Sequence, residues 1–358
     1  YCASRNQSAP AIAYTTAPSI VLRCGTGNPV TLATLSPSDP TWQGPVWSWD
    51  GSAVAWITSN RLDVFRLGTA KLSSWDCANC EGLAFIGEQA VTQADASSSL
   101  PAAAPRLFVF PATGSAPPTT LTLSGIETID GDTDFHVLAT ISATDIVVDY
   151  GDAGGSNGGG TQLLYRVNAK GVATKYGHDS FATTQTPSSI IGSLGNFTTD
   201  PTGHQLGLTE SSRGGACGWL NGVVLLNTSS DVITMPAAPS GGGPGGYWVE
   251  GLWFDKSGIP YVSLVPNEST CTTTGAPPTG GFFPATATPT VWKLVDGHWV
   301  SAGIGTIQAS DGPNGWTAHL TGTLTNGTAT GASLNISHSG QTAMVAGVTG
   351  FEWAPTHR

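Results

Sequence analysis

Apolar and polar residues alternate along most of this chain in short runs, and no stretch of helical length carries an amphipathic helical period. The runs are rich in Val, Ile, Leu, Trp and Tyr and end at Gly, Pro, Asn, Asp or Ser, which is the signature of strands and turns. The most pronounced stretch is Trp47–Ser48–Trp49–Asp50–Gly51–Ser52–Ala53–Val54–Ala55–Trp56–Ile57. It predicts a strand, a tight turn at Asp50–Gly51 and a second strand of alternating apolar residues. Weaker copies stand at 199–208, 253–262 and 336–345.

A hairpin repeated along a chain is the mark of an array of equivalent units, each unable to bury its apolar faces alone. Strands are predicted at Ser19–Arg23 and Pro29–Leu35, then in groups of four over 46–75, 82–123, 135–176, 194–236 and 248–302. A final hairpin at 334–349 has only two strands, as does the N-terminal segment at 19–35. Joining those two into one composite unit removes the exposed edges that an open array would leave. The expected fold is therefore all-β: one β-propeller domain over 1–358, with six blades and its ring closed by N- and C-terminal strands sharing a blade. Residues 1–18 read as a tail and 303–333 as an insertion. The segments Trp316–Leu324 and Thr328–Ile336 hold the alternative, a seventh blade.

The turn sequence Ser48–Trp49–Asp50–Gly51 resembles the repeat of TolB-like and WD40-like propellers. Trp75–Asp76–Cys77–Ala78–Asn79–Cys80–Glu81–Gly82–Leu83–Ala84–Phe85 is similar to a blade junction in propellers of the exported or membrane-anchored actinobacterial type. The usual Ser-Pro-Asp-Gly stands here only in altered form, and the Gly-His…Trp-Asp of WD40 repeats is missing. The resemblance implies a fold and a habit of binding, and it carries over no catalytic residue.

In a four-stranded blade, the turns between first and second strands and between third and fourth strands share one face of the disc. Second-to-third loops and crossovers share the other. The first set is short here, while Ala94–Pro105, Gly151–Gly160, Glu210–Leu220 and Pro266–Pro289 of the second set are long. So are the crossovers at 177–193, 237–246 and 303–333. Long loops without structure of their own are commonly functional, so the long-loop face is the expected binding surface. Its candidate residues are Arg213, Trp219, Tyr247, Trp248 and Glu250.

The net charge is −11, with five lysines and eight arginines and no basic cluster, which argues against a nucleic-acid partner. No apolar run approaches the length of a membrane span, so membrane insertion by this segment is not expected. The start at Tyr1–Cys2 reads as a mature or excised piece. Blade placement predicts disulfides Cys2–Cys24, Cys77–Cys80 and Cys217–Cys271, and these suit an extracellular or cell-surface setting.

The remaining motifs are weak. Cys77-x-x-Cys80 lacks the second ligand pair of a zinc site. Asp130, Asp132 and Asp134 alternate as calcium ligands do, but the rest of a calcium loop is missing. Gly154–Gly155–Ser156–Asn157–Gly158 has the letters of a nucleophile elbow inside a polyglycine loop instead of a strand-to-helix turn. No catalytic residue and no cofactor beyond that calcium candidate is expected. The sequence reads as a non-enzymatic propeller that engages a protein partner through its long-loop face. The alternative is a carbohydrate-binding propeller, or a glycan hydrolase using acids such as Asp149, Asp152, Glu210 and Glu250, with its site at the central mouth.

Overall fold

In the computed structural model the described residues are 2, 9–36, 41–58, 60–78, 80–93, 105–114, 116–127, 133–152, 161–176, 190–191, 193–213, 219–268 and 283–355. Strands β1 (Ala11–Thr16), β2 (Ser19–Cys24) and β3 (Val30–Thr34) begin blade 1. Blade 2 comprises β4 (Thr41–Trp47), β5 (Ala53–Thr58), β6 (Arg61–Arg66) and β7 (Lys71–Asp76). Blade 3 follows with β8 (Ala84–Ile86), β9 (Gln89–Gln93), β10 (Arg106–Val109) and β11 (Thr119–Thr122). Blade 4 holds β12 (Thr133–Thr140), β13 (Asp145–Asp152), β14 (Thr161–Asn168) and β15 (Ala173–Lys175), with the short β16 (Ile190–Ile191) on β14. Blade 5 has β17 (Ser193–Thr199), β18 (Gln205–Arg213), β19 (Trp219–Asn227) and β20 (Val232–Thr234). Blade 6 has β21 (Tyr247–Phe254), β22 (Pro260–Pro266), β23 (Thr290–Val295) and β24 (His298–Ile304). Blade 7 has β25 (Thr306–Asp311), β26 (Thr317–Thr325), β27 (Thr328–His338) and β28 (Gln341–Ala346), and β29 (Val348–Trp353) then pairs with β1 in blade 1.

The result is a β-propeller of seven antiparallel sheets, and it corrects the six-blade expectation. Residues 303–333 are not an insertion: they supply β25, β26 and the start of β27. Blade 1 also differs from the expected composite. Three of its strands come from the N-terminal segment, including β1 within the supposed tail, and only β29 comes from the C-terminal end.

Among the described residues seven apolar clusters lie between the sheets, each joining two neighbouring blades, and the last joins blade 7 back to blade 1. Strand β5 shows how a strand serves both neighbours. All six of its residues are buried; Val54 and Trp56 pack toward blade 1, whereas Ala53, Ala55 and Ile57 pack toward blade 3. A strand sandwiched between sheets has no solvent face, so strict polar alternation is replaced by alternation of side-chain size. Burying an indole such as Trp56 contributes about 2–3 kcal/mol or more.

Polar bonds also cross the seams. Trp47 Nε1 donates to the Glu352 carbonyl at 3.1 Å, Trp353 Nε1 to Ser310 O at 3.3 Å, and Ser263 Oγ to Ile307 O at 2.6 Å. The recurrent aspartate of the inner turn holds its own hairpin. Asp50 Oδ1 accepts from Ser52 N at 3.0 Å and Ser48 Oγ at 2.8 Å. Asp200 Oδ1 accepts from Gln205 N at 2.7 Å, and Asp255 Oδ1 from Ser257 N at 2.8 Å and Ile259 N at 3.0 Å. Each bond gives a turn amide a partner that the ladder cannot supply. Disulfides join Cys2 to Cys24 and Cys77 to Cys80, as read from blade placement; Cys217 and Cys271 lie outside the described residues. Among the described residues no helix is long and apolar enough to cross a membrane.

Candidate functional site

The innermost strands of the seven blades run side by side in the same direction, so their C-terminal ends and inner turns converge on one face. Where they converge is a central cavity of about 730 Å³. Gln43, Thr140, Glu250, Gln308 and Glu352 line its wall from the strands, and Trp49, Asp200, Lys256, Asp311 and Asn314 from the turns or their edge. The mouth therefore belongs to the short-turn face.

Trp49 follows β4 and is half-buried. Its ring reaches beyond its own blade to the inner turn of blade 5, where a Cβ placed on Gly203 would collide with Trp49 Cη2. Gly203 has φ +72°, a conformation that L side chains rarely adopt, and the same Cβ would lie 2.7 Å from Ile141 O. Glycine here serves two needs at once: it makes the left-handed turn and leaves room for the indole. Gly203→Ala is expected to cost about 2–4 kcal/mol of stability, combining backbone strain with overpacking. It should also displace Trp49, read as stronger acrylamide quenching of tryptophan emission. Unchanged stability with unchanged quenching would refute this packing.

The charged groups have distinct settings. Asp200 is 5% exposed and fixed by its turn bonds, while Asp311 Oδ2 accepts the Lys256 backbone N–H at 2.9 Å, tying the turns of blades 6 and 7 together. Asn314 sits at φ 57° beside Gly315, a left-handed pair that shapes the rim. Deeper in, desolvation by burial pushes the Glu250 carboxyl up to about 7 and that of Glu352 to about 8. Glu352 is ringed by protein yet solvent-accessible, because it faces channel space instead of a packed core.

The residues read from sequence fall differently. Glu250 lines the central cavity from β21 rather than a loop face. Tyr247 and Trp248 are half-buried and occupied: Tyr247 Oη donates to Ser240 O at 3.4 Å, and Trp248 stacks on Phe283 with ring centroids 5.1 Å apart. Arg213 and Trp219 end β18 and begin β19, with side chains outside the described part, as are those of Glu210 and Asp152. Asp149 is fully buried and holds His136 Nδ1 at 2.9 Å, away from the cavity lining. Asp130 and Asp132 lie outside the described residues, as does the side chain of Asp134; no group that could hold a metal ion occurs among the described residues. The loop segments 94–104, 153–160, 177–189, 214–218 and 269–282 are likewise outside them.

Sequence reasoning singled out none of Trp49, Asp200, Lys256, Asp311, Asn314 and Glu352 as a site residue. A usable signal was present for three of them, since Trp49, Asp200 and Lys256 lie in or beside inner turns that the repeat had already placed on one face, whereas Asp311 and Asn314 fall in the segment read as an insertion.

No protein-family profile matches the chain, and no curated protein matches it either. Solved structures do. The chain resembles the β-propeller domain of the Trilobed protease from Pyrococcus furiosus, a domain with an open velcro topology (TM-score 0.51, 12% identity, 91% of this chain and 88% of that one). It is equally similar to a functionally unknown protein from Desulfotomaculum acetoxidans (TM-score 0.51, 13% identity, 97% and 99%). It also resembles an acylaminoacyl peptidase from Pyrococcus horikoshii (TM-score 0.50, 12% identity), covering 91% of this chain and 47% of that one. At such identities the likeness establishes the propeller fold alone.

Proposed function

We propose that this chain is an exported, non-enzymatic propeller that binds a glycan at the mouth of its central cavity, needing no cofactor. The carrying observation is the composition of that mouth: a half-buried indole, Trp49, stands among carboxylate and amide side chains at the rim of a cavity of about 730 Å³. A pyranose has an apolar C–H face that stacks on an indole, and hydroxyls that exchange hydrogen bonds with Asp, Asn and Gln. The volume falls in the range of small-ligand sites. Export is supported by the disulfides Cys2–Cys24 and Cys77–Cys80, which an oxidising compartment favours.

This reading moves the site from the long-loop face to the short-turn face. A glycan carried on a partner protein would satisfy it as well as a free oligosaccharide. A glycan array followed by calorimetry on the best hits tests it. Trp49→Ala is expected to weaken binding at least about tenfold, the worth of one aromatic stacking contact, measured well below the variant's melting temperature. Equal binding by Trp49→Ala would sink the assignment. Turnover of any bound glycan during prolonged incubation would overturn its non-enzymatic part.

A further inference from the structure

Blades 6 and 7 meet differently from the other pairs. Among the described residues their seam holds three buried apolar residues, Trp253, Val291 and Ala309, against seven to thirteen at the other six seams. On the channel side the sheets close tightly: a Cβ on Gly251 would collide with Ile307 O, and Ser263 Oγ bonds that same oxygen at 2.6 Å. Beyond this closure the seam opens into a second cavity of about 410 Å³. Exposed Ala302, Gly303, Ile304 and His319 border it, so the cavity opens to solvent and is accessible to a ligand from outside.

The walls define the filling. Trp253 and Tyr261 stack at 5.8 Å with planes 14° apart, and Asp255, Asp311 and His319 complete the lining. Among the described residues no Lys, Arg or His nitrogen comes within 4.0 Å of either carboxylate. Lys293 is the cross-strand neighbour of Tyr261, and Lys256 lines the central cavity instead. Burial, and then the charges of Asp255 and Asp311, push the Tyr261 hydroxyl above its ordinary value, in keeping with a negative interior. A metal would need a cluster of ligands, which the described residues do not form.

We propose that this cavity between blades 6 and 7 is a second binding site, for an organic cation: a guanidinium or alkylammonium group seated against Tyr261 and neutralised by Asp255 and Asp311. Two carboxylates supply the counter-charge, the aromatic pair supplies a π surface, and the volume accepts the head group with its aliphatic stem. The inference does not rest on the glycan reading, and Asp311 is the one charged residue that the two cavities share. Trp253, Phe254, Ala309, Ser310 and Asp311 form the wall shared with the central cavity, whereas Asp255, Tyr261 and His319 face only the seam.

The test is calorimetry on the whole chain with arginine amide, its neutral isostere citrulline amide, and a tripeptide with a central arginine and both ends capped. Arginine amide is expected to bind, with citrulline amide at least about tenfold weaker. Asp255→Asn keeps the acceptor that its turn requires while removing one charge, and should weaken arginine amide about tenfold. His319→Lys, at an exposed position, places a fixed cation in the cavity and should abolish binding without lowering the melting temperature. Trp49→Ala should leave it unchanged. Binding of the tripeptide as well as the amide would make the cation a side chain of a partner; binding of the amide alone would make it a small molecule. The proposal fails if citrulline amide binds equally, if arginine amide gives no heat at about 10 mM, or if neither variant alters binding.

Discussion

A chain ending at Gly347 is expected to lose its cooperative unfolding transition altogether. The eleven residues removed include β29, the innermost strand of blade 1, which pairs with β1 along its length. Val348, Phe351 and Trp353 of that strand are buried in the cluster between blades 7 and 1, and Ala354 beyond it packs between blades 1 and 2. Loss of one buried Phe or Trp commonly costs about 3–5 kcal/mol, and two such losses rival the roughly 5–15 kcal/mol that stabilises a whole domain. The deletion would also strip Trp47 Nε1 and Ser310 O of their partners and leave β1 as an unpaired edge. Near-UV circular dichroism and thermal melting would register the loss. A truncated chain melting within about 5 °C of the intact one would show that the terminal pairing carries little of the ring's stability.

Stability should fall as the pH rises from about 5 to about 8, and Glu250 and Glu352 should account for the slope. Both carboxyls have an ordinary value of 4.5, and desolvation raises them to about 7 and about 8 in the folded chain. Between those limits the folded protein binds more protons than the unfolded one. The contribution is therefore complete below about pH 4.5 and is lost as the pH climbs through the folded values. Glu352 is exposed to the channel, which makes its share smaller than burial alone would imply. Asp50 and Asp145 act outside this window. Burial opposes their ionisation, but hydrogen bonds from Ser52 and Ser48, and from Arg166, Ser142 and Thr144, hold both below their ordinary 3.8. Denaturant titrations at several pH values should show the slope in the intact chain, reduced in Glu250→Gln and nearly flat in Glu250→Gln/Glu352→Gln. Identical slopes in all three proteins would remove the channel acids from the explanation.

The fold was legible wherever the inner hairpin kept its aspartate-glycine turn and bulky apolar strands, as in 47–57 and 253–262. Blade 7 was misread for physical reasons. Its inner turn is Gly312–Pro313–Asn314–Gly315, without the aspartate-glycine pair, and small buried residues such as Ala309, Ala318 and Ala332 interrupt the larger ones such as Leu320 and Ile336, so the apolar pattern is fainter. Strand β1 was hidden because Ala11–Ile12–Ala13–Tyr14 is buried on both faces and shows no alternation. The candidate site was legible in its parts and not in its assembly. Pattern alone places Trp49 and Asp200 in equivalent turns of blades 2 and 5, but it says nothing of an indole spanning from one to the other. Loop length drew attention to the opposite face, whereas the cavity is made by convergence of the shortest turns.

The segments at Pro10 and Pro355 lie on the face of that cavity. Ala354 N–H donates to Ala11 O at 2.8 Å, Pro355 lines the mouth, and Gly25 N–H donates to Pro10 O at 3.0 Å in a turn of the same face. A tether attached after Pro355 is therefore expected to start beside the mouth. Immobilising the protein through a C-terminal tag would crowd the proposed ligand entrance. A biotin placed on the long-loop side would leave that entrance open, and comparing the two orientations on a sensor surface offers a geometric readout of where ligand enters.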